Sequence, residues 1–266
     1  MNLDLLFETA VNAIVEASEA IMDIYRHSDH GIQYKPDDSP VTKADLEASA
    51  IIFRHLEKTG IPIICEEREH YNYDTRKNWK YFWLVDPLDG TKEFIKKNDE
   101  FTVNIALIEE DTPIMGLISI PALNSLYWGI KHSGSFKCKL SKFHTLSIHE
   151  ITKVAVKLPV EKPGERLRIM ISRSHPDPET QKFIDNLKAE HPGLETSSAG
   201  SSLKFCYIAE GKADLYLRFS PTMEWDTAAG QAIVEAAGVK MVTLPAQTKF
   251  VYNKPELKNP GFMVTR

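Results

Sequence analysis

Two short apolar runs in this chain each stop on a pair of acids. Ile61-Pro62-Ile63-Ile64-Cys65 runs into Glu66-Glu67, and Tyr81-Phe82-Trp83-Leu84-Val85 runs into Asp86-Pro87-Leu88-Asp89-Gly90-Thr91. Short apolar runs bounded by turn signals read as buried strands. Ligands of α/β proteins gather at the carboxyl ends of strands, so Glu66 and Asp86 share one edge if the two strands are neighbours. A third acid, Asp226, opens a helical stretch after Trp225. The three acids form one site only if the fold brings these distant segments together.

The flanking patterns are consistent with that demand. Leu3, Leu6, Val11, Ile14, Ala17, Ile21 and Ile24 predict a first amphipathic helix. A second follows from Thr42 through Leu46, Ala50, Phe53 and Leu56 to Gly60, with Thr42 and Asp45 spaced as a capping box. Segments 101–109, 113–120, 124–130 and 135–139, broken near Pro113, Asn124 and Gly134, predict a meander. Beyond about residue 150 strand-like stretches (168–172, 213–219, 239–243) alternate with helical ones (177–190, 201–210, 225–237), the last closing on Gly238. The expected organisation is an N-terminal α+β subdomain over 1–150 and a C-terminal α/β subdomain over 151–266, with an irregular tail after 245.

The bulk properties exclude several classes. A net charge of −5 argues against a general nucleic-acid binder, which needs a basic face. No apolar run approaches the ~20 residues that span a bilayer, and the acidic N-terminus is unlike a signal peptide. Cys65, Cys138 and Cys206 are odd in number, widely spaced and without a zinc pattern, so a reduced, cytoplasmic protein with a buried structural thiol at Cys65 is expected.

Carboxylates grouped without His or Cys make a hard-oxygen site, suited to Mg²⁺ or Mn²⁺ and not to zinc. Pro87 and Gly90 fit a tight turn that aims Asp86, Asp89 and the Leu88 carbonyl at one point. Such close like charges repel unless cations are present. Two metals about 3.5–4 Å apart relieve that repulsion and clamp the oxygens of an in-line phosphoryl transfer. Each piece alone has an ordinary reading: a solvated turn, surface charge, or a helix-start acid favoured by the dipole.

Together, Glu66-Glu67, Asp86-Pro87-Leu88-Asp89-Gly90-Thr91 and Trp225-Asp226-Thr227-Ala228-Ala229-Gly230 resemble the inositol monophosphatase-type, lithium-sensitive phosphatases. Thr91-Lys92-Glu93-Phe94, the stretch Glu100 to Ile108, Gly200-Ser201-Ser202-Leu203-Lys204-Phe205-Cys206 and Asn259-Pro260-Gly261-Phe262 are similar to its CysQ-type 3′(2′),5′-bisphosphate nucleotidase branch. The resemblance implies an α/β/α/β/α layered sandwich of two subdomains with the site between them. It implies Mg²⁺-dependent removal of the 3′-phosphate of adenosine 3′,5′-bisphosphate to give AMP, and 3′-phosphoadenylyl sulfate as a further substrate. Two or three Mg²⁺ ions are expected, with Mn²⁺ as a substitute and Li⁺ and Ca²⁺ as inhibitors.

Carried over residue by residue, the resemblance makes Glu66, Asp86, the Leu88 carbonyl, Asp89 and Asp226 metal ligands, with Asp86 bridging. Gly90 and Thr91 cradle the scissile phosphate, and Thr91 with Asp45 orients or deprotonates the attacking water. Glu66, Leu88, Asp89 and Asp226 also contact substrate. Ser172-Arg173-Ser174-His175 face the base or ribose, and Ser201, Lys204 and Arg218 the second phosphate. Lys35 receives no role. The implied partner is a small phosphorylated nucleotide, for a monomer or homodimer, and the resemblance leaves open a peripheral contact with the inner face of the cell membrane. Two other readings compete: an inositol or sugar phosphatase, and a non-catalytic nucleotide sensor.

Overall fold

The computed structural model describes residues 1–27, 30–35, 39–140, 148–162, 164–174 and 177–266. In chain order, α1 (Leu3–Arg26) is followed by the short pair β1 (Gln33–Tyr34) and β2 (Pro40–Val41), then α2 (Lys43–Leu56), β3 (Ile63–Cys65), α3 (Tyr73–Arg76), β4 (Tyr81–Asp89) and α4 (Thr91–Ile95). Next come β5 (Thr102–Glu109), β6 (Thr112–Ile120), β7 (Ser125–Ile130), β8 (Gly134–Lys139), α5 (Ile148–Lys153) and β9 (Val156–Lys157). The rest of the chain forms β10 (Arg168–Ser172), α6 (Pro178–Glu190), β11 (Glu195–Ala199), α7 (Leu203–Glu210), β12 (Leu215–Arg218), α8 (Glu224–Ala236), β13 (Lys240–Thr243) and β14 (Phe262–Thr265).

A seven-stranded sheet runs in order β3-β4-β5-β6-β7-β8-β9 and a five-stranded sheet in order β11-β10-β12-β14-β13. In the first, β3 and β4 are parallel and the remaining pairs form the expected antiparallel meander. Buried faces of α1 and α2 pack on one side of it, around Ile14, Ile52, Trp83 and Leu107. Its other side shares a core with α7, α8 and the second sheet, through Phe82, Ala106, Ile118, Phe205, Ala229 and Phe262. On the far face of the second sheet, Ile184 of α6 meets Ile169, Leu215 and Leu217. The layering is helix, sheet, helix, sheet, helix, as the resemblance implied. No helix among the described residues is long and apolar enough to cross a membrane.

Two details differ from expectation. The first sheet does not end at residue 150, because Val156 and Lys157 pair with Lys137 and Phe136. Nor is the tail irregular throughout: Phe262–Thr265 lies between β12 and β13, antiparallel to both. This strand has only four residues, and pairing across the chain, not local pattern, holds it.

The contact of α8 with the first sheet positions Asp226. A Cβ on Gly116 would lie 2.5 Å from the Ala229 carbonyl oxygen, and one on Gly129 would lie 2.5 Å from that of Ala232. The helix backbone thus rests directly on the sheet at Ala229 and Ala232, while Gly230 makes room for the Phe205 ring of α7.

Candidate active site

Parallel pairing of β3 with β4 puts Cys65 opposite Val85, so Glu66 and Asp86 leave the sheet at the same edge. The bulge between Asp86 and Asp89 in the β4–β5 ladder redirects the chain there. Gly90 then takes φ +92°, a conformation that suits glycine, before α4 begins at Thr91. On the other side, Asp226 lies in the first turn of α8, where its carboxylate accepts the Met223 N–H at 2.8 Å.

One oxygen each of Glu66, Asp86 and Asp226 lie within 4.8 Å of one another. Asp89 is not in that tight group, and its Oδ2 accepts a 2.7 Å hydrogen bond from Ser202. It is still close enough for its charge to act on the other three. Burial, then Glu66, Asp89, Asp226 and Asp45, push the Asp86 carboxyl well above its ordinary range. Burial, then Asp89 and Glu66, do the same to Asp226. Burial also raises Glu66, partly offset by Lys35. An all-oxygen cluster built around the buried Asp86 that resists ionisation in this way fits a hard divalent cation, whose charge would favour every carboxylate at once.

The second predicted pair also meets. Thr91 Oγ1 donates to Asp45 Oδ1 at 3.0 Å, while Asp45 Oδ2 accepts from the Thr42 backbone N–H at 2.7 Å and the Thr42 hydroxyl at 2.6 Å. The expected capping box is present, and it locks the carboxyl that holds Thr91. Asp45 is 1% exposed, and burial raises its pKa against the pull of those hydrogen bonds.

A cavity of about 350 Å³ opens over these groups, and its far wall comes from the C-terminal half: Ser172, Ser174, Ser201, Lys204, Tyr216 and Arg218. Ser201 precedes α7 in a left-handed turn (φ +41°), and its buried hydroxyl has no partner among the described residues. Lys204 is 1% exposed, and its Nζ donates to the Ala199 and Ser201 carbonyls at 3.1 and 2.5 Å. Burial pulls its pKa down to about 8. Arg218 Nε donates to Ser220 Oγ at 2.9 Å. Glu93 accepts from Ser174, and Arg173 forms a two-pronged pair with Glu100 at 2.6 and 2.8 Å, so the halves are latched at this mouth. His175 and residues 36–38 of the 35–40 loop lie outside the described residues.

Sequence reasoning missed several neighbours. Lys35 Nζ bridges Glu66 Oε1 at 2.9 Å and Glu67 Oε1 at 2.7 Å. The His70 ring packs against Trp225 at a tilt of 48°, with ring centroids 4.9 Å apart. Asn104 and Ser202 reach Asp89 through a shared hydroxyl. Ser202 sits beside a flagged residue in Gly200-Ser201-Ser202, but nothing local marks its partner, Asn104. Cys65, Cys138 and Cys206 are all free and buried.

The model of the inositol monophosphatase family matches residues 2–261 of the chain. The chain belongs to the inositol monophosphatase family. Within that family it is 41% identical to the 3′(2′),5′-bisphosphate nucleotidase CysQ of Salmonella typhimurium, over 94% of this chain and 95% of that protein. It is 44% identical to the protein of the same name from Buchnera aphidicola, over 85% and 80%. Among solved structures, CysQ from Bacteroides thetaiotaomicron, a bacterial member of the family, superposes with a TM-score of 0.88 at 41% identity, covering 97% of this chain and 95% of that one.

Proposed function

We propose that the chain is a Mg²⁺-dependent 3′(2′),5′-bisphosphate nucleotidase that hydrolyses the 3′-phosphate of adenosine 3′,5′-bisphosphate to AMP and phosphate, with 3′-phosphoadenylyl sulfate as a second substrate. The observation that carries this reading is a single cavity lined by both carboxylates and cations. Glu66, Asp89 and Asp226 line it, Asp86 lies against Glu66 and Asp226, and the cations Lys204 and Arg218 line the same cavity. A ligand that answers both carries two separated anionic groups. Relatives at 41% and 44% identity named as bisphosphate nucleotidases support the same choice.

The geometry supports the following roles. Glu66, Asp86, Asp89, Asp226 and the Leu88 carbonyl would hold two or three divalent cations, which supply charge neutralisation of the phosphate and a lowered pKa for an attacking water. Gly90 and Thr91 offer backbone N–H groups to the scissile phosphate. Thr91, held by Asp45, orients the water and passes its proton toward the carboxylate, for which the raised Asp45 pKa is suited. Lys204 has spent two N–H groups on carbonyls and keeps a third for the non-scissile phosphate. Arg218 adds a planar donor fork to the same group. A neighbouring cavity of about 430 Å³ shares Ser172 and Arg218 with the first and is lined by Ile171, Ile184 and Leu217, which gives a base apolar room. The enzyme works in the reducing cytoplasm, where its buried thiols stay unpaired.

An inositol phosphatase has no second phosphate for Lys204 and Arg218 to meet. Phosphate release is measured from adenosine 3′,5′-bisphosphate, 3′-phosphoadenylyl sulfate and inositol 1-phosphate, with and without Mg²⁺ and with added Li⁺. The bisphosphate is expected to turn over fastest, only with Mg²⁺, and less with Li⁺. Faster release from inositol 1-phosphate reverses the substrate assignment, and tight binding of the bisphosphate without turnover in saturating Mg²⁺ replaces the enzyme with a sensor.

A further inference from the structure

Among the described residues, the only side-chain hydrogen bond to Asp89 comes from across the subdomain boundary. Ser202 Oγ lies 2.7 Å from Asp89 Oδ2 and 3.0 Å from the Asp226 carbonyl oxygen, and Asn104 Nδ2 lies 3.0 Å from the same Ser202 Oγ. Ser202 is 2% exposed and Asn104 is 1% exposed. Asn104 sits on β5 directly opposite Asp86 of β4. Its Oδ1 has no partner among the described residues.

Proton counting makes this chain directional. A serine hydroxyl has one proton and two lone pairs. The shortest of its contacts is to a carboxylate, where a charge-assisted bond is strongest, so the proton goes to Asp89. Ser202 Oγ then has to accept, and only the N–H side of the Asn104 amide can donate to it. Asn104 thus sets the direction of the hydroxyl, and the hydroxyl ties down Oδ2. The other Asp89 oxygen is left for a cation.

We propose that Ser202, oriented by Asn104, is the positioning residue that presents Asp89 to the divalent cation. The proposal rests on the metal assignment above. It explains why Asp89 stands outside the tight group of three carboxylates yet belongs to the site: its place is set by a tether from the second half. Because Asn104 is anchored beside Asp86 and Ser202 opens α7, the tether closes only when the two halves are docked. Groups that hold a metal ligand in place typically change metal affinity by about 10–100-fold when removed.

The test is Mn²⁺ binding by calorimetry on the full chain, beside the Mg²⁺ and nucleotide dependence of phosphate release. Ser202→Ala is expected to weaken Mn²⁺ binding at least tenfold and to raise the half-saturating Mg²⁺ by a similar factor, with KM for nucleotide at saturating Mg²⁺ unchanged. Ser202→Thr keeps the hydroxyl and is expected to keep the affinity. Asn104→Asp preserves shape but replaces the donor by an acceptor that competes for the Ser202 proton, so it should weaken Mn²⁺ binding as Ser202→Ala does. This isosteric variant decides the matter should Ser202→Ala fail to fold. Wild-type Mn²⁺ affinity in either folded variant, or equal losses of metal and nucleotide affinity, overturns the proposal. Absence of Mn²⁺ binding by the wild-type chain would instead remove the metal assignment beneath it.

Discussion

Substituting Gly116 by alanine tests whether the contact of α8 with the sheet controls the site. The added methyl would lie 2.5 Å from the Ala229 carbonyl oxygen, 2.8 Å from Ala229 Cα and 2.8 Å from the Ala232 Cβ. Comfortable separation is about 3.5–4.0 Å, so the helix has to lift by roughly 1 Å. Two of the three nearest atoms are backbone, and no side-chain rotation relieves them. Overpacking by one methyl costs about 1–3 kcal/mol. At about 2–4 °C per kcal/mol for a chain near this size, the melting temperature should fall by roughly 2–12 °C. The lift also carries Asp226 away from Glu66 and Asp86. A displacement of ~1 Å at a catalytic group costs on the order of a hundredfold in rate. Scanning fluorimetry and kcat at saturating Mg²⁺ measure the two effects on one preparation. Gly193→Ala is the control, since its new methyl meets only the flexible Arg166 side chain, at 3.7 Å. If Gly116→Ala melts and turns over like wild type, the helix is not seated as described and the argument that places Asp226 fails.

Other outcomes follow from the same geometry. Asp89→Asn should keep the fold by circular dichroism but lose on the order of a thousandfold in kcat, the scale of removing one strong electrostatic group from a transition state; full activity would remove it from the metal set. Thr91→Val breaks the 3.0 Å bond to Asp45 and should lower kcat with little change in KM, read from initial rates of phosphate release. Arg218→Ala should raise KM for the bisphosphate while leaving the already slow inositol 1-phosphate rate unaltered. In the cation-free protein, Asp86 and Asp226 have folded-state pKa values raised above their ordinary 3.8. Their contribution to stability is fully present below the unfolded value and is lost as pH rises through the folded value. The melting temperature without cations should therefore drop on going from acid toward neutral pH, and the rise on adding Mg²⁺ should be larger at about pH 7.5 than at about pH 5.

Much of the site was legible because its signals are local. Asp45 sits at the third position of a helix whose cap is Thr42, and that spacing is written in four consecutive residues. The Asp86 to Thr91 turn follows from proline and glycine flanking two acids, and the exits of β3 and β4 follow from where apolar runs stop. What stayed hidden depends on groups far apart in the chain. Lys35 reaches Glu66 and Glu67 only because β1, β2 and the edge of β3 come together in space. Phe262–Thr265 is too short to declare itself, and it becomes a strand because β12 and β13 flank it.

Local signals specify which residues could bind a cation and roughly where helices begin and strands end, since backbone preference, capping and hydrophobic period act within a few residues. Tertiary structure decided how the carboxylates share their oxygens. The convergence of Glu66, Asp86 and Asp226 within 4.8 Å, with Asp89 hydrogen-bonded to Ser202, needs β3 beside β4 and a helix backbone pressed onto Gly116 and Gly129. Those are packing contacts between distant segments, and their energies exist only once the layers have closed.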